Sequence, residues 1–110
     1  MLLAKHGLRP VAKLFVADSF RVLAAEAIGT AFFTFGIAAV VFGKVYNGAS
    51  GVVIGGSLLL GITFAALLGS NGVLNPAVAF GIGSFSLMYV LGPIIGSVIG
   101  MNAYKYLKKD

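Results

Sequence analysis

The sequence predicts an all-α membrane protein: three transmembrane helices plus one re-entrant half-helix. Three observations lead there. The 110-residue chain is 59% hydrophobic and 10% charged, with a mean hydropathy of +1.03. Apolar runs at residues 22–42, 51–69 and 85–107 each approach the ~20 residues that a helix needs to cross a bilayer. Between the second and third runs, an apolar loop carries Asn75-Pro76, a pair suited to starting a helix. A soluble domain of this length could not bury so much apolar surface, because small domains have a poor ratio of interior to surface. The 16 glycines fit packed membrane helices, and the density of Leu, Ile, Val and Phe excludes a Gly-rich disordered segment.

Residues 1–20, "MLLAKHGLRPVAKLFVADSF", form a basic N-terminal leader carrying Lys5, Arg9 and Lys13. No small-residue cleavage site follows a short apolar core, which argues against a cleaved signal peptide. Two states fit the leader: a short interfacial helix with Pro10 near its start, or disorder. His6, the single histidine, reads as a surface residue. The net charge of +5 sits mostly at the two ends, where it suits lipid headgroups and gives no reason to expect nucleic acid. Cysteine is absent, which excludes disulfides, thiolate metal sites and a cysteine nucleophile. Nothing in the pattern calls for a cofactor, a metal or catalysis.

The first span carries Glu26 near its start, in "AEAIGTAFF". A charge well inside a span costs ~2.5–3.5 kcal/mol, so it normally faces protein or water and has a partner. The alternative is a carboxylate near the interface, facing headgroups. The second span places Gly51 and Gly55, then Gly61, Ala65 and Gly69, at four-residue spacing. The third repeats this with Gly92, Gly96 and Gly100, and such stripes let helix backbones approach closely.

Residues 70–84 connect these spans and are apolar after Asn71, which is unusual for a water-exposed loop. Pro76 suits a first helical position and Asn75 an N-cap. A helix from Pro76 to the Gly83-Ser84 break would have about nine residues and a length of ~13 Å. That is near half of a ~30 Å hydrocarbon core, so the loop is expected to dip in and return. Irregular backbone at that depth survives only if buried in protein or lining water.

These residues resemble the aquaporin (major intrinsic protein) family. Asn75-Pro76-Ala77 is similar to its signature triplet. "AEAIGT" resembles the opening of its first and fourth spans, whose Glu supports the re-entrant loop, at Glu26 here. "YVLGPIIGSVIGMNAYKYL" resembles its sixth span, with Gly92, Pro93, Gly96 and Tyr104 in register. The likeness runs from about Val22 to Lys108 and makes residues 21–110 an aquaporin-like half-repeat. Family members carry two inverted repeats, and this chain has one. Val78 follows the triplet as in a first repeat, where second repeats usually place Arg, yet the last span resembles the second repeat. Thr63 stands twelve residues before Asn75, where water-selective members often have His.

The resemblance implies a passive channel for water and small neutral solutes such as glycerol, not an enzyme, in a cell membrane (plasma or inner). Asn75, Pro76, Ala77, Val78 and Thr63 would line the pore, with carbonyls of Gly72, Val73 and Leu74 as acceptors and Glu26 as support. One half-repeat needs completing, either by a second inverted copy or by a different half-channel subunit. Each side of the membrane would carry four Lys or Arg: Lys5, Arg9, Lys13 and Arg21 against Lys44, Lys105, Lys108 and Lys109. Such a balance is what dual insertion needs. A rival expectation is a small dual-topology, proton-coupled exporter using Glu26, although three spans and an unexplained Asn-Pro-Ala triplet fit it less well.

Overall fold

The computed structural model describes residues 17–43, 45–83 and 86–108, and these are helical with no strand among them. Helix α1 spans Ala17–Val41, α2 Ser50–Leu67, α3 Pro76–Gly81 and α4 Leu87–Lys108. A single 3-10 turn, Asn47–Ala49, leads into α2. Three stretches are long and apolar enough to cross a membrane: Phe20–Val41, Asn47–Leu67 and Leu87–Lys108. The protein is therefore membrane-embedded. The basic leader lies mostly outside the described residues, and its last four positions, 17–20, belong to α1.

Helix α1 is the centre of the bundle, with α2 and α4 packed on it. The α4 glycine stripe explains one interface. Gly92, Gly96 and Gly100 lie against the carbonyl oxygens of Leu23, Ala27 and Ala31 in turn. Both series climb in steps of four, so α1 and α4 run parallel with their backbones nearly touching. The α1–α2 interface uses the same device in the opposite sense, with Gly29 on Gly61 and Gly36 on Ser57. As one number rises the other falls, so this pair is antiparallel. Stacked rings of Phe32 and Phe64, 4.8 Å apart, add aromatic contact.

The small-residue stripe of α2 divides into three parts with different roles. Gly61 and Ala65 are buried on α1. Gly51 and Gly55 have no neighbour within 4 Å and face outward, because α1 reaches the N-terminal half of α2 through Gly36 and Ser57 on another face. Gly69 ends the helix. Its φ is +108°, Ser70 N–H donates to the Ala65 carbonyl at 3.0 Å, and Gly69 N–H donates to Ala66 at 3.1 Å. That is the Schellman arrangement, which needs a residue tolerant of positive φ.

Helix α3 is shorter than expected. It has six residues where about nine were read from the sequence, which is ~9 Å of axis. Ile82 caps it by donating to Val78 at 2.9 Å, and Gly83 at φ +79° turns the chain away. Helix α3 packs on α4. Phe80 and Ile82 are left exposed, at 74% and 62%.

The stripe on α4 should matter more than the one on α2. A Cβ at Gly96 would fall on the Ala27 backbone, which cannot swing aside as a side chain can. Gly96→Ala is expected to cost about 1–3 kcal/mol, as overpacking does. Gly51→Ala meets open space and should change stability by less than about 0.5 kcal/mol. Unfolding of both variants in mixed micelles checks the contrast, and equal losses would contradict the assigned packing.

Candidate functional site

The site is built where the chain leaves α2 and approaches α3. The Schellman end sets Ser70 beside α1, where its hydroxyl donates to Glu26 Oε2 at 2.6 Å. Four successive backbone amides follow, and each finds a side-chain acceptor. Asn71 N–H donates to the Tyr89 hydroxyl at 2.8 Å, and Gly72 N–H donates to Ser70 Oγ at 3.0 Å. Val73 N–H donates to Glu26 Oε2 at 3.1 Å, and Leu74 N–H donates to Oε1 at 2.7 Å. A buried backbone group without a partner is costly, so this pattern is what allows irregular chain to sit among helices.

Glu26 is fully buried, at 0% exposure, and is the largest side chain so enclosed. The groups that hydrogen-bond to it, the Ser70 hydroxyl and the Val73 and Leu74 amides, are all donors, which suits its two acceptor oxygens. Hydrogen bonds to a charged acceptor contribute roughly 1.5–3 kcal/mol each. The interfacial alternative for Glu26 does not describe this enclosed position.

Leu74 has φ +62°, the left-handed region that non-glycine residues rarely occupy. Two contacts hold it there. Its N–H is bonded to Glu26, and its side chain wedges between Gly29 and Gly61, near the middle of α1. Thr30 reaches its carbonyl with a long 3.5 Å hydrogen bond. Gly72, at φ +66°, passes so close to Ile62 that a Cβ would lie 3.1 Å from its carbonyl oxygen.

The twist at Leu74 delivers Asn75 in extended conformation, with φ −155° and ψ 124°. Asn75 Oδ1 accepts from Ala77 N–H at 2.8 Å and from Val78 N–H at 3.4 Å, and Pro76 takes the first helical position. The oxygen is thereby committed to capping. The amide nitrogen donates to nothing among the described residues, and Asn75 stands at a groove of about 240 Å³. Thr30, Thr34 and Ser97 give that groove its hydroxyls, and Pro76, Pro93 and Ile94 are among its apolar walls.

The sequence-predicted residues fall into two sets. Glu26, Gly72, Val73, Leu74, Asn75, Pro76 and Ala77 are brought into one continuous structure around the loop. Gly92 joins them indirectly: a Cβ added there would lie 2.7 Å from the Glu26 Cβ, so only glycine lets α4 come this close to that side chain. Thr63 stands apart: it is exposed on α2, its hydroxyl donates to the Leu59 carbonyl at 2.7 Å, and it does not border the groove. Val78 is also outside the groove, half exposed on α3.

Sequence reading missed Ser70, Tyr89, Thr30, Thr34 and Ser97. A signal for the threonines was present, since Glu26, Thr30 and Thr34 are four residues apart and share one face of α1. Ser70 and Tyr89 had no such signal, because their partners lie 44 and 18 residues away in sequence. No protein-family model matches the chain, and no curated protein or solved structure does either.

Removing the Glu26 carboxylate should release the loop while the helices persist. In Glu26→Ala, hydrogen exchange at the amides of Val73 and Leu74 is expected to accelerate by at least tenfold, the equivalent of one lost charge-assisted bond. Glu26→Gln keeps one oxygen acceptor and should give intermediate protection. Unchanged exchange in Glu26→Ala would mean that the loop is held by something else.

Proposed function

We propose that the chain is one half of a passive membrane channel for water and small neutral solutes such as glycerol, with an aquaporin-like re-entrant loop. The observation that carries this is the state of Asn75. Its oxygen is used in capping α3, and its unpaired amide stands at a groove level with the middles of α1 and α4. A donor without a protein partner at mid-bilayer depth is what a passing water or hydroxyl needs in exchange for lost hydration. Thr30, Thr34 and Ser97 each direct a hydroxyl hydrogen to a backbone carbonyl, which leaves oxygen lone pairs to accept. Apolar walls offer no competing site, so permeants would pass without strong binding. No bond is broken, and the selectivity is one of desolvation.

The groove is half a conduit. It is open on one side, and a second copy of the chain, inserted in the opposite sense, would close it. The equal count of four basic residues for each side favours that arrangement over two copies inserted alike. The proton-coupled exporter has less support, because both Glu26 oxygens accept hydrogen bonds from the loop and the side chain is sealed from solvent. A different half-channel subunit would complete the groove equally well, and the purified chain decides between them.

Osmotic water flux into liposomes containing only this chain tests the proposal. Flux well above bare lipid is expected, lost in Ser97→Phe, which fills the groove. Asn75→Asp keeps the capping oxygen and removes the amide donor, and should also reduce flux. Flux no faster than bare lipid from folded protein would point to a separate partner subunit. A C-terminal tag should be accessible from both faces of the membrane, and finding every C-terminus on one side would rule out inverted pairing. If Val78 faces the completed pore, Val78→Arg should exclude glycerol before it excludes water.

A further inference from the structure

We infer that Phe33 sets the solute size limit of the groove at Asn75, a role that rests on the channel reading above. Its ring is the largest side chain bordering that groove and the only aromatic one there. The faces of α1 explain why it points there. Gly29 and Gly36 lie against Gly61 and Ser57 of α2, while Thr30 and Thr34 lie against Gly96 and Gly100 of α4. At about 100° per residue, Phe33 falls between those two sets, so its side chain is directed into the angle between α2 and α4. Glu26, which holds Val73 and Leu74, lies on nearly the same line seven residues earlier, ~10 Å along the axis. The ring therefore stands two turns beyond the anchor of the loop and borders the groove from α1.

Other rings of α1 are used in packing. Phe32 stacks on Phe64, and Phe35 and Phe42 pair with Tyr104, whereas Phe33 pairs with no ring among the described residues and is half-buried. From α4 the groove is bordered by Pro93 and Ile94, which are also apolar. The hydroxyls of Thr30, Thr34 and Ser97 and the Asn75 amide can replace hydration that a permeant loses, but a phenyl ring cannot. Passage at the ring is therefore decided by the width of the permeant and by how much hydration it must leave behind. Water loses little there, while a polyol is wider and carries several hydroxyls. Thr63 and Val78, which the family resemblance places in the pore, do not border this groove, so the limit falls to Phe33. That holds whichever subunit closes the open side.

Glycerol and water fluxes into liposomes containing the full chain, read as their ratio, test this. Phe33→Ala is expected to raise the glycerol-to-water ratio by roughly tenfold, the lower end of what a one-carbon difference is worth at a fitted apolar wall. Phe33→Leu should give a smaller rise and Phe33→Trp a fall, while Thr63→Ala keeps the wild-type ratio. Circular dichroism verifies that each variant is folded, and Phe33→Leu and Phe33→Trp decide the matter if Phe33→Ala is not. An unchanged ratio in the folded Phe33 variants overturns the inference, and so does an equal rise in Thr63→Ala. A wild-type chain that passes no water by itself is judged by 4-fluorophenylalanine placed at position 33 or 32. The fluorine resonance at 33 should shift with added glycerol and that at 32 should not; a resonance at 33 that stays still overturns the inference independently of the flux.

Discussion

The Glu26 carboxylate is the constraint on which the rest of the site depends. An irregular stretch of chain packed among helices buries amides that no helical ladder satisfies. Here two of those amides converge on one carboxylate, a third uses the serine bonded to it, and the fourth uses Tyr89. Glu26 comes from α1, Ser70 from the end of α2 and Tyr89 from α4, so three helices share the loop's hydrogen bonding. A hydrocarbon side chain at position 26 would insert more easily and leave the loop without its acceptors.

Close packing serves the same end. Glycines on α4 bring its backbone against α1, and this is what places Tyr89 and Pro93 near the loop. Gly29 and Gly61 approach closely between α1 and α2, leaving room for little besides the Leu74 side chain. That wedge helps hold Leu74 at positive φ, and the strained turn presents Asn75 to the groove. Strain of this kind costs about 1–3 kcal/mol and persists only where surrounding contacts over-determine it. Glu26 and the two glycines supply those contacts. Electrostatic anchoring and steric fit thus act on a single residue, one position before the putting-in-place of the cap.

The described bundle is open on the side of α2 and α3, and this openness has a physical meaning in a membrane. Apolar side chains facing lipid need no partner, so the outward glycines and leucines of α2 are not a defect. The groove at Asn75 is different, because it combines hydroxyls with an amide that has no partner among the described residues. Polar groups of that kind in hydrocarbon are met by water or by protein. The channel proposal rests on that requirement.

Composition and periodicity in the sequence determined the membrane class, the positions of the three long helices and the cap of α3. Each is a local property. Hydropathy needs only about 20 residues, small-residue spacing needs one helix face, and the Asn75-Pro76 cap needs bonds to residues two and three positions on. Glu26 was legible as a buried charge in want of a partner, and the structure gives it Ser70, Val73 and Leu74. Tertiary structure alone decided the rest. Ser70 could not be told from any helix-ending serine, nor Tyr89 from an interfacial tyrosine, because their roles arise from contacts made after the helices pack. Thr63 went the other way. Its position in the chain suggested the pore, but the face of α2 that packs on α1 is set by Gly61 and Ala65, and this turns Thr63 away from the Asn75 groove. Spacing fixes which residues share a face, and only packing fixes where that face points.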